Sequence, residues 1–338
     1  TRPKFSSSAL RPKIPKPLRS LVGSAIGTFG MIKRDDRLLV GLSGGKDSLT
    51  MLHSLLDVRR RAEAKFTIAA ATVDPMTPEF RPEPMREYLA ALGVEYHMLS
   101  QPLIQMAKCH IDPKKPSICS FCSRMKRGML YSCMREHGYN VLCLGQHLDD
   151  FAESFVMSCF QNGLLRTMKA NYFVEKGDVR VIRPLVFVRE RVMADFALEN
   201  KLPVIADNCP ACFQAPKERH RTKLFLSAQE FENPNLFPCL LNAMMPLIGI
   251  THADRQMDWF RHLGGSGKAQ NDEDDDSEGV NGSASKAPGK PAPVESAAGC
   301  CKEGEPLPPG PPQRLNAMLI CYAAAVTVAA LVLARRRC

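Results

Sequence analysis

Residues 37–52 read RLLVGLSGGKDSLTML: a short apolar run, a loop with two adjacent glycines, and the first turn of an amphipathic stretch. An apolar run bounded by glycine reads as a buried strand, and apolar residues recurring every three or four positions over 48–59 read as a helix. Between them Gly44 and Gly45 let backbone N–H groups approach an anion, and the helix N-terminus adds partial positive charge. Lys46 and the hydroxyls of Ser43 and Ser48 complete a cradle for phosphate, with Asp47 facing the same ligand. A Walker A loop is excluded, because it needs glycine where Val40 stands and Ser or Thr where Asp47 stands.

Outward from this loop the alternation repeats. Apolar runs at 66–73 (FTIAAATV), 96–99 and 141–144 (VLCL) are interleaved with amphipathic stretches at 83–92 and 125–136. Short buried runs separated by helical periodicity predict an α/β fold, a parallel sheet with helices on both faces, whose ligands lie at the strand carboxyl ends. Asp74 closes the second run, where it either reads a ribose or adenine or simply caps a turn. With 338 residues, 45% of them hydrophobic, 24% charged and 7% aromatic, the composition excludes a collagen-like or wholly disordered chain.

Thirteen cysteines, an odd number with no amino-terminal signal-peptide pattern, argue against a secreted disulfide framework. Cys119-Ser-Phe-Cys122 and Cys209-Pro-Ala-Cys212 are two C-x-x-C pairs separated by 86 residues, far more than the roughly 15–20 of a zinc ribbon. The fold has to bring them together, which favours an iron–sulfur cluster in a catalytic domain over a local zinc knuckle; a redox dithiol is the remaining alternative. Cys133, Cys143 and Cys159 sit in apolar or helical contexts and read as core residues.

The net charge of +10 understates the basic surface, since residues 271–278 (NDEDDDSE) hold six acids and no base. A polyanionic partner is expected. Residues 1–34 contain no acid and eight Lys or Arg, so 1–20 read as a basic arm or the remnant of a transit peptide, and the chain starts at Thr rather than Met. Residues 21–263 form the expected catalytic domain, and 264–313, without one aromatic, an expected disordered linker. Residues 315–334 (LNAMLICYAAAVTVAALVLA) carry no charge and are bracketed by Arg314 and Arg335 to Arg337. At about 1.5 Å per residue they match a hydrocarbon core of roughly 30 Å, which predicts a transmembrane tail anchor.

With the loop, the Cys pairs and their order in hand, the chain resembles the tRNA-cytidine(32) 2-sulfurtransferase family of the PP-loop ATP pyrophosphatase superfamily. The resemblance spans about residues 18–250 and rests on five ordered stretches: 18–46, 119–131 (CSFCSRMKRGMLY), 144–153 (LGQHLDDFAE), 181–185 (VIRPL) and the pair at 209 and 212. It implies an AMP-forming ATPase that adenylates the C2 oxygen of an anticodon-loop cytidine and replaces it with sulfur carried on a [4Fe-4S] cluster. Ser43, Gly44, Gly45, Lys46, Asp47 and Ser48 would bind ATP, and Cys119, Cys122 and Cys209 the cluster, with Cys212 left over. Gly145, His147, Asp149 and Asp150 match the family's G-H-H-x-D-D stretch, although Gln146 stands in place of its first His.

Asp149 and Asp150 either hold Mg2+ against the ATP phosphates or cap a helix. Arg124, Lys126 and Arg127 beside the first pair, and Lys217, Arg219, Arg221 and Lys223 after the second, are the candidates for RNA contact; as plain charge runs they would be a solvated face. The implied partners are tRNA and a sulfur donor such as a cysteine desulfurase, with a homodimer a further expectation. The nearest alternative is the wobble-uridine thiolases, which commonly carry extra zinc-binding Cys pairs; no C-x-x-C precedes the loop here. An alternative of another class is a membrane-tethered, non-catalytic iron–sulfur or RNA-binding scaffold. The expected location is a membrane, with the catalytic domain in the cytosol or, alternatively, in an organelle.

Overall fold

The computed structural model describes residues 5–77, 80–110, 118–174, 177–205 and 218–249. The apolar run before the glycine loop is strand β1 (Arg37–Gly41), inside a six-stranded sheet with β2 (Thr67–Asp74), β3 (Glu95–Ser100), β4 (Val141–Cys143), β5 (Asn171–Phe173) and β6 (Arg180–Ile182), in the order β3-β2-β1-β4-β6-β5. β1 pairs in parallel with β2 and β4, β2 with β3, and β4 with β6.

The expected parallel sheet holds for β1, β2, β3, β4 and β6, whereas β5 runs antiparallel to β6. The reason is the connection: only six residues separate Phe173 from Arg180, and a parallel pair needs a crossover of a dozen or more. Val174 N–H donates to Val179 O at 2.9 Å across that return.

Side chains alternate along β1, so Leu38 and Val40 join one apolar cluster and Leu39 the other. The first cluster includes residues of α2 (Lys16–Thr28), α3 (Lys46–Arg61), α7 (Leu148–Asn162), α8 (Glu190–Glu199) and α10 (Leu236–Ile248); the second is closed by Leu130 and Met134 of α6 (Ile118–His137). A parallel sheet needs cover on both faces, and Val, Leu and Ala-rich strands without alternating polar positions are the result. The remaining described helices are α1 (Ser7–Leu10), α4 (Glu83–Leu92), α5 (Leu103–His110) and α9 (Glu218–Glu232).

The basic arm expected over 1–20 ends inside α2, whose Leu18 is fully buried together with Val22 and Ala25. Arg11, Lys13 and Lys16 are exposed on a segment whose apolar residues pack into the core, and Arg19 Nε pairs with Asp57 at 3.0 Å. Cys133 and Cys143 are buried and Cys159 is half-buried. Among the described residues no helix is long and apolar enough to cross a membrane; residues 264–313 and 315–334, the expected linker and anchor, lie outside them, as do Cys209, Cys212 and Lys217.

Candidate active site

The chain leaves β1 toward β2 on one side of the sheet, while β4 opens the other side; crevices at such switch points take ligands. The loops after β1 and β4 meet here. A Cβ on Gly145 would stand 3.4 Å from Ser48 N, so the second loop lies directly against the first turn of α3. Gly44 has φ +85°, and a Cβ there would lie 3.0 Å from Ile205 Cβ; its carbonyl accepts from Ile205 N–H at 2.9 Å. Only glycine meets both demands. Ser43 Oγ lies 3.2 Å from Ser48 Oγ and accepts from Gly45 N–H at 3.3 Å, while Ser48 Oγ donates to Gly45 O at 3.0 Å.

This junction opens into a cavity of about 600 Å3. Ser43, Asp47, Ser48, Gly145 and Asp150 line it from the two loops, Cys122, Lys126 and Arg127 from α6, and Arg219 from α9. Of the residues singled out in the sequence, these nine and Gln146 are brought together. Lys46 and Asp74 are not in the cavity wall: Lys46 Nζ reaches Glu190 Oε1 at 3.0 Å and Asp47 Oδ2 at 3.2 Å, and Asp74 Oδ1 accepts from Met76 N–H at 2.8 Å as a turn cap. Arg221 pairs with Glu218 and Lys223 with Glu190, at 3.3 and 2.6 Å, and Arg124 is exposed.

The paired aspartates point to different neighbours. Asp150 faces the cavity and accepts from His147 N–H at 3.1 Å, which is also the helix-capping contact. Asp149 instead accepts from Arg189 Nε at 3.0 Å and from Glu190 N–H at 2.7 Å, tying α7 to the start of α8. Burial would raise its pKa, but hydrogen bonds from His147, Arg189 and Glu190 hold the carboxyl well below the usual range. Gln146, in the position of the family's first His, accepts from Arg183 Nε at 3.0 Å.

His147, 6% exposed, links these carboxylates: Nε2 is 3.3 Å from Asp150 Oδ2 and 4.0 Å from Asp47 Oδ2, and Nδ1 is 3.4 Å from Asp149 Oδ2. Asp47 itself has its pKa raised by burial, against the charges of His147 and Lys46, and its Oδ1 is buried without a hydrogen-bond partner. An orphaned carboxylate oxygen beside a second carboxylate suits a hard cation such as Mg2+. For a thiolate-bound cluster the fit is partial but direct. Cys122 lines the cavity, and Cys119 precedes it by three positions in α6.

Three charged groups of this neighbourhood were not picked out in the sequence: Glu190, Glu153 and Arg189. Glu190 stands 144 residues from the Lys46 it binds, so no local pattern marks it, and Glu153 closes the 144–153 stretch but carries no role of its own there.

A mostly parallel, doubly covered sheet with the SGGKDS loop at its switch point fits the PP-loop class, and the PP-loop domain model matches residues 15–227. The chain belongs to the tRNA-cytidine(32) 2-sulfurtransferase family. It is 40% identical over 231 residues to the tRNA-cytidine(32) 2-sulfurtransferase of Geobacter sulfurreducens, covering 68% of this chain and 89% of that one. To that of Stenotrophomonas maltophilia it is 36% identical over 258 residues, covering 76% and 86%. Among solved structures, the U34-tRNA thiolase NcsA from Methanococcus maripaludis with its [4Fe-4S] cluster superposes with a TM-score of 0.55 at 20% identity, covering 68% of this chain and 78% of that one, a likeness of fold.

Proposed function

We propose that this chain is an ATP-dependent tRNA thiolase acting on an anticodon-loop cytidine. The observation that carries the reading is that one cavity is walled by the SGGKDS loop, two carboxylates, a cysteine of a C-x-x-C pair and three cationic side chains. Family membership points the same way.

In this reading the C2 oxygen of the cytidine attacks the α-phosphorus of ATP and pyrophosphate leaves. Sulfide then adds to C2, the C2–O bond breaks and AMP departs. The loop N–H groups with Ser43 and Ser48 hold the phosphates. Lys46, fixed by Glu190, positions Asp47 and adds positive charge beneath the loop. Asp47 Oδ1 and Asp150 would hold Mg2+, which neutralises charge on the departing pyrophosphate. Asp149 acts through others, orienting His147 and α8. Cys119, Cys122 and Cys209 would hold a [4Fe-4S] cluster, which supplies the sulfur for the exchange. Of the described residues that flank 206–217, the segment containing Cys209, Ile205 bonds Gly44 and Arg219 lines the cavity wall.

Lys126, Arg127 and Arg219 are the cations aimed at the RNA backbone, with Arg124 and Arg221 at the rim; positioning the base supplies much of the rate. Lys223, bound to Glu190, supports Lys46 indirectly. The chain divides at about residues 263 and 314 into catalytic domain, linker and a tail anchor at 315–334, which keeps the catalytic domain on the side of the membrane where tRNA is found. The test of the reading is AMP release from ATP by the cluster-loaded protein. Release that depends on added tRNA is expected; none with both present would leave a non-catalytic scaffold.

A further inference from the structure

We propose a second metal site, independent of the proposed reaction, formed by His97, Cys133 and His137 and suited to Zn2+. The three residues come from two elements. His97 lies on β3, an edge strand, and shares a sheet face with Leu99, which packs in the cluster closed by α6. Cys133 and His137 stand one turn apart near the end of α6, the i and i+4 spacing that presents two side chains to one ion. One ligand atom from each of the three lies within 4.8 Å of the other two. Tetrahedral zinc with Zn–S and Zn–N bonds of ordinary length needs about 3.3–3.6 Å between ligand atoms, so closure asks for shifts of about 1 Å.

The surroundings have the form of a ligand shell. The two imidazoles stack with centroids 4.3 Å apart beside the buried thiol. His97 Nε2 lies 2.9 Å from Tyr139 Oη and 3.4 Å from Glu95 Oε1, the outer partners that orient a ligating imidazole and fix its tautomer. Two nitrogens and a sulfur are borderline-soft donors, which suits zinc and excludes Mg2+ or Ca2+. His137 is exposed, so an ion has a route in, and water takes the fourth position. Cys133 lies eleven residues beyond Cys122 along α6, about 16 Å away, so the site is separate from the cavity. Bound zinc would staple the edge strand to the far end of the helix that carries Cys119 and Cys122.

The test uses the full-length protein purified without oxygen with its cluster in place. Zn2+ affinity is measured by competition with a chromophoric chelator in the native protein and in His137→Ala and Cys133→Ser. His137 is exposed, so His137→Ala leaves the core intact. One zinc per chain is expected, bound at least tenfold more weakly in both variants. X-ray absorption at the zinc edge should show one sulfur and two imidazole nitrogens, and chelator should lower the melting temperature of the native protein but not of His137→Ala. Zinc that is undiminished in His137→Ala, that shows more than one sulfur neighbour, or that is not bound at all would overturn the proposal.

Discussion

At His147, burial opposes the charged ring, yet hydrogen bonding to Asp149 and the charges of Asp150 and Asp47 raise its pKa. A ring whose charged form is favoured by three neighbouring carboxylates eases the approach of Asp47 and Asp150, which two bare carboxylates would resist. Asp47→Ala removes an orphaned oxygen at the nucleotide rather than any packing. Its expected effect is a loss of thiolation of about a hundredfold or more with cluster content and melting temperature unchanged; a rate equal to that of the native enzyme would exclude Asp47 from the site. Glu153 behaves differently. Burial first, and then the charge of Asp150, push its pKa up to about 7 from 4.5. An acid whose pKa is higher folded than unfolded contributes stability below the unfolded value and loses it as pH rises through the folded one. The window is therefore pH 4.5 to 7. Glu153→Gln should gain stability relative to the native protein across that window, read as urea midpoints below and above it; a gap that does not change with pH would contradict the assignment.

Among the elements, β1, β4 and β6 are joined at their amino ends by a buried polar knot. Asp36, 5% exposed, accepts from Arg180, 4% exposed, from Lys33 N–H at 2.7 Å and from Asn140 Nδ2 at 3.0 Å. Removing one partner strands a buried charge, so Arg180→Met should cost about 3–5 kcal/mol in denaturant unfolding; a cost under about 1 kcal/mol would show the pair to be idle. None of this knot was legible in the sequence, and the reason is length. β6 offers only Val181 and Ile182 between two arginines, too short an apolar run to read as a strand, and its partner Asp36 lies 144 positions away. By contrast β1, β2, β3, β4, α3 and α4 were legible to within a few residues, because buried runs and amphipathic helices state their period locally, while α6 was legible from 125 and begins seven residues earlier, at Ile118. The antiparallel β5 escaped the reading for the same reason as β6. In the site, the phosphate loop was legible because its glycines must be glycines, whereas the opposite orientations of Asp149 and Asp150 depend on Arg189 and Glu190, contributed by a distant turn.

For the whole molecule, the sheet switch point gathers into one cavity residues spread from Ser43 to Arg219, while the tail at 315–334 is proposed to set where that cavity works. Removing residues 314–338 should leave thiolation unchanged and move the protein from the membrane fraction to the soluble one; a full-length chain that is soluble without detergent would contradict the anchor. The central claim concerns the base. Its most direct test is to incubate the cluster-loaded enzyme with ATP, Mg2+, sulfide and unmodified tRNA in the absence of oxygen, digest the tRNA and resolve its nucleosides by mass spectrometry. The account predicts ATP-dependent appearance of 2-thiocytidine and none of 2-thiouridine; 2-thiouridine in its place, or no thiolated nucleoside while the cluster is intact, would contradict it.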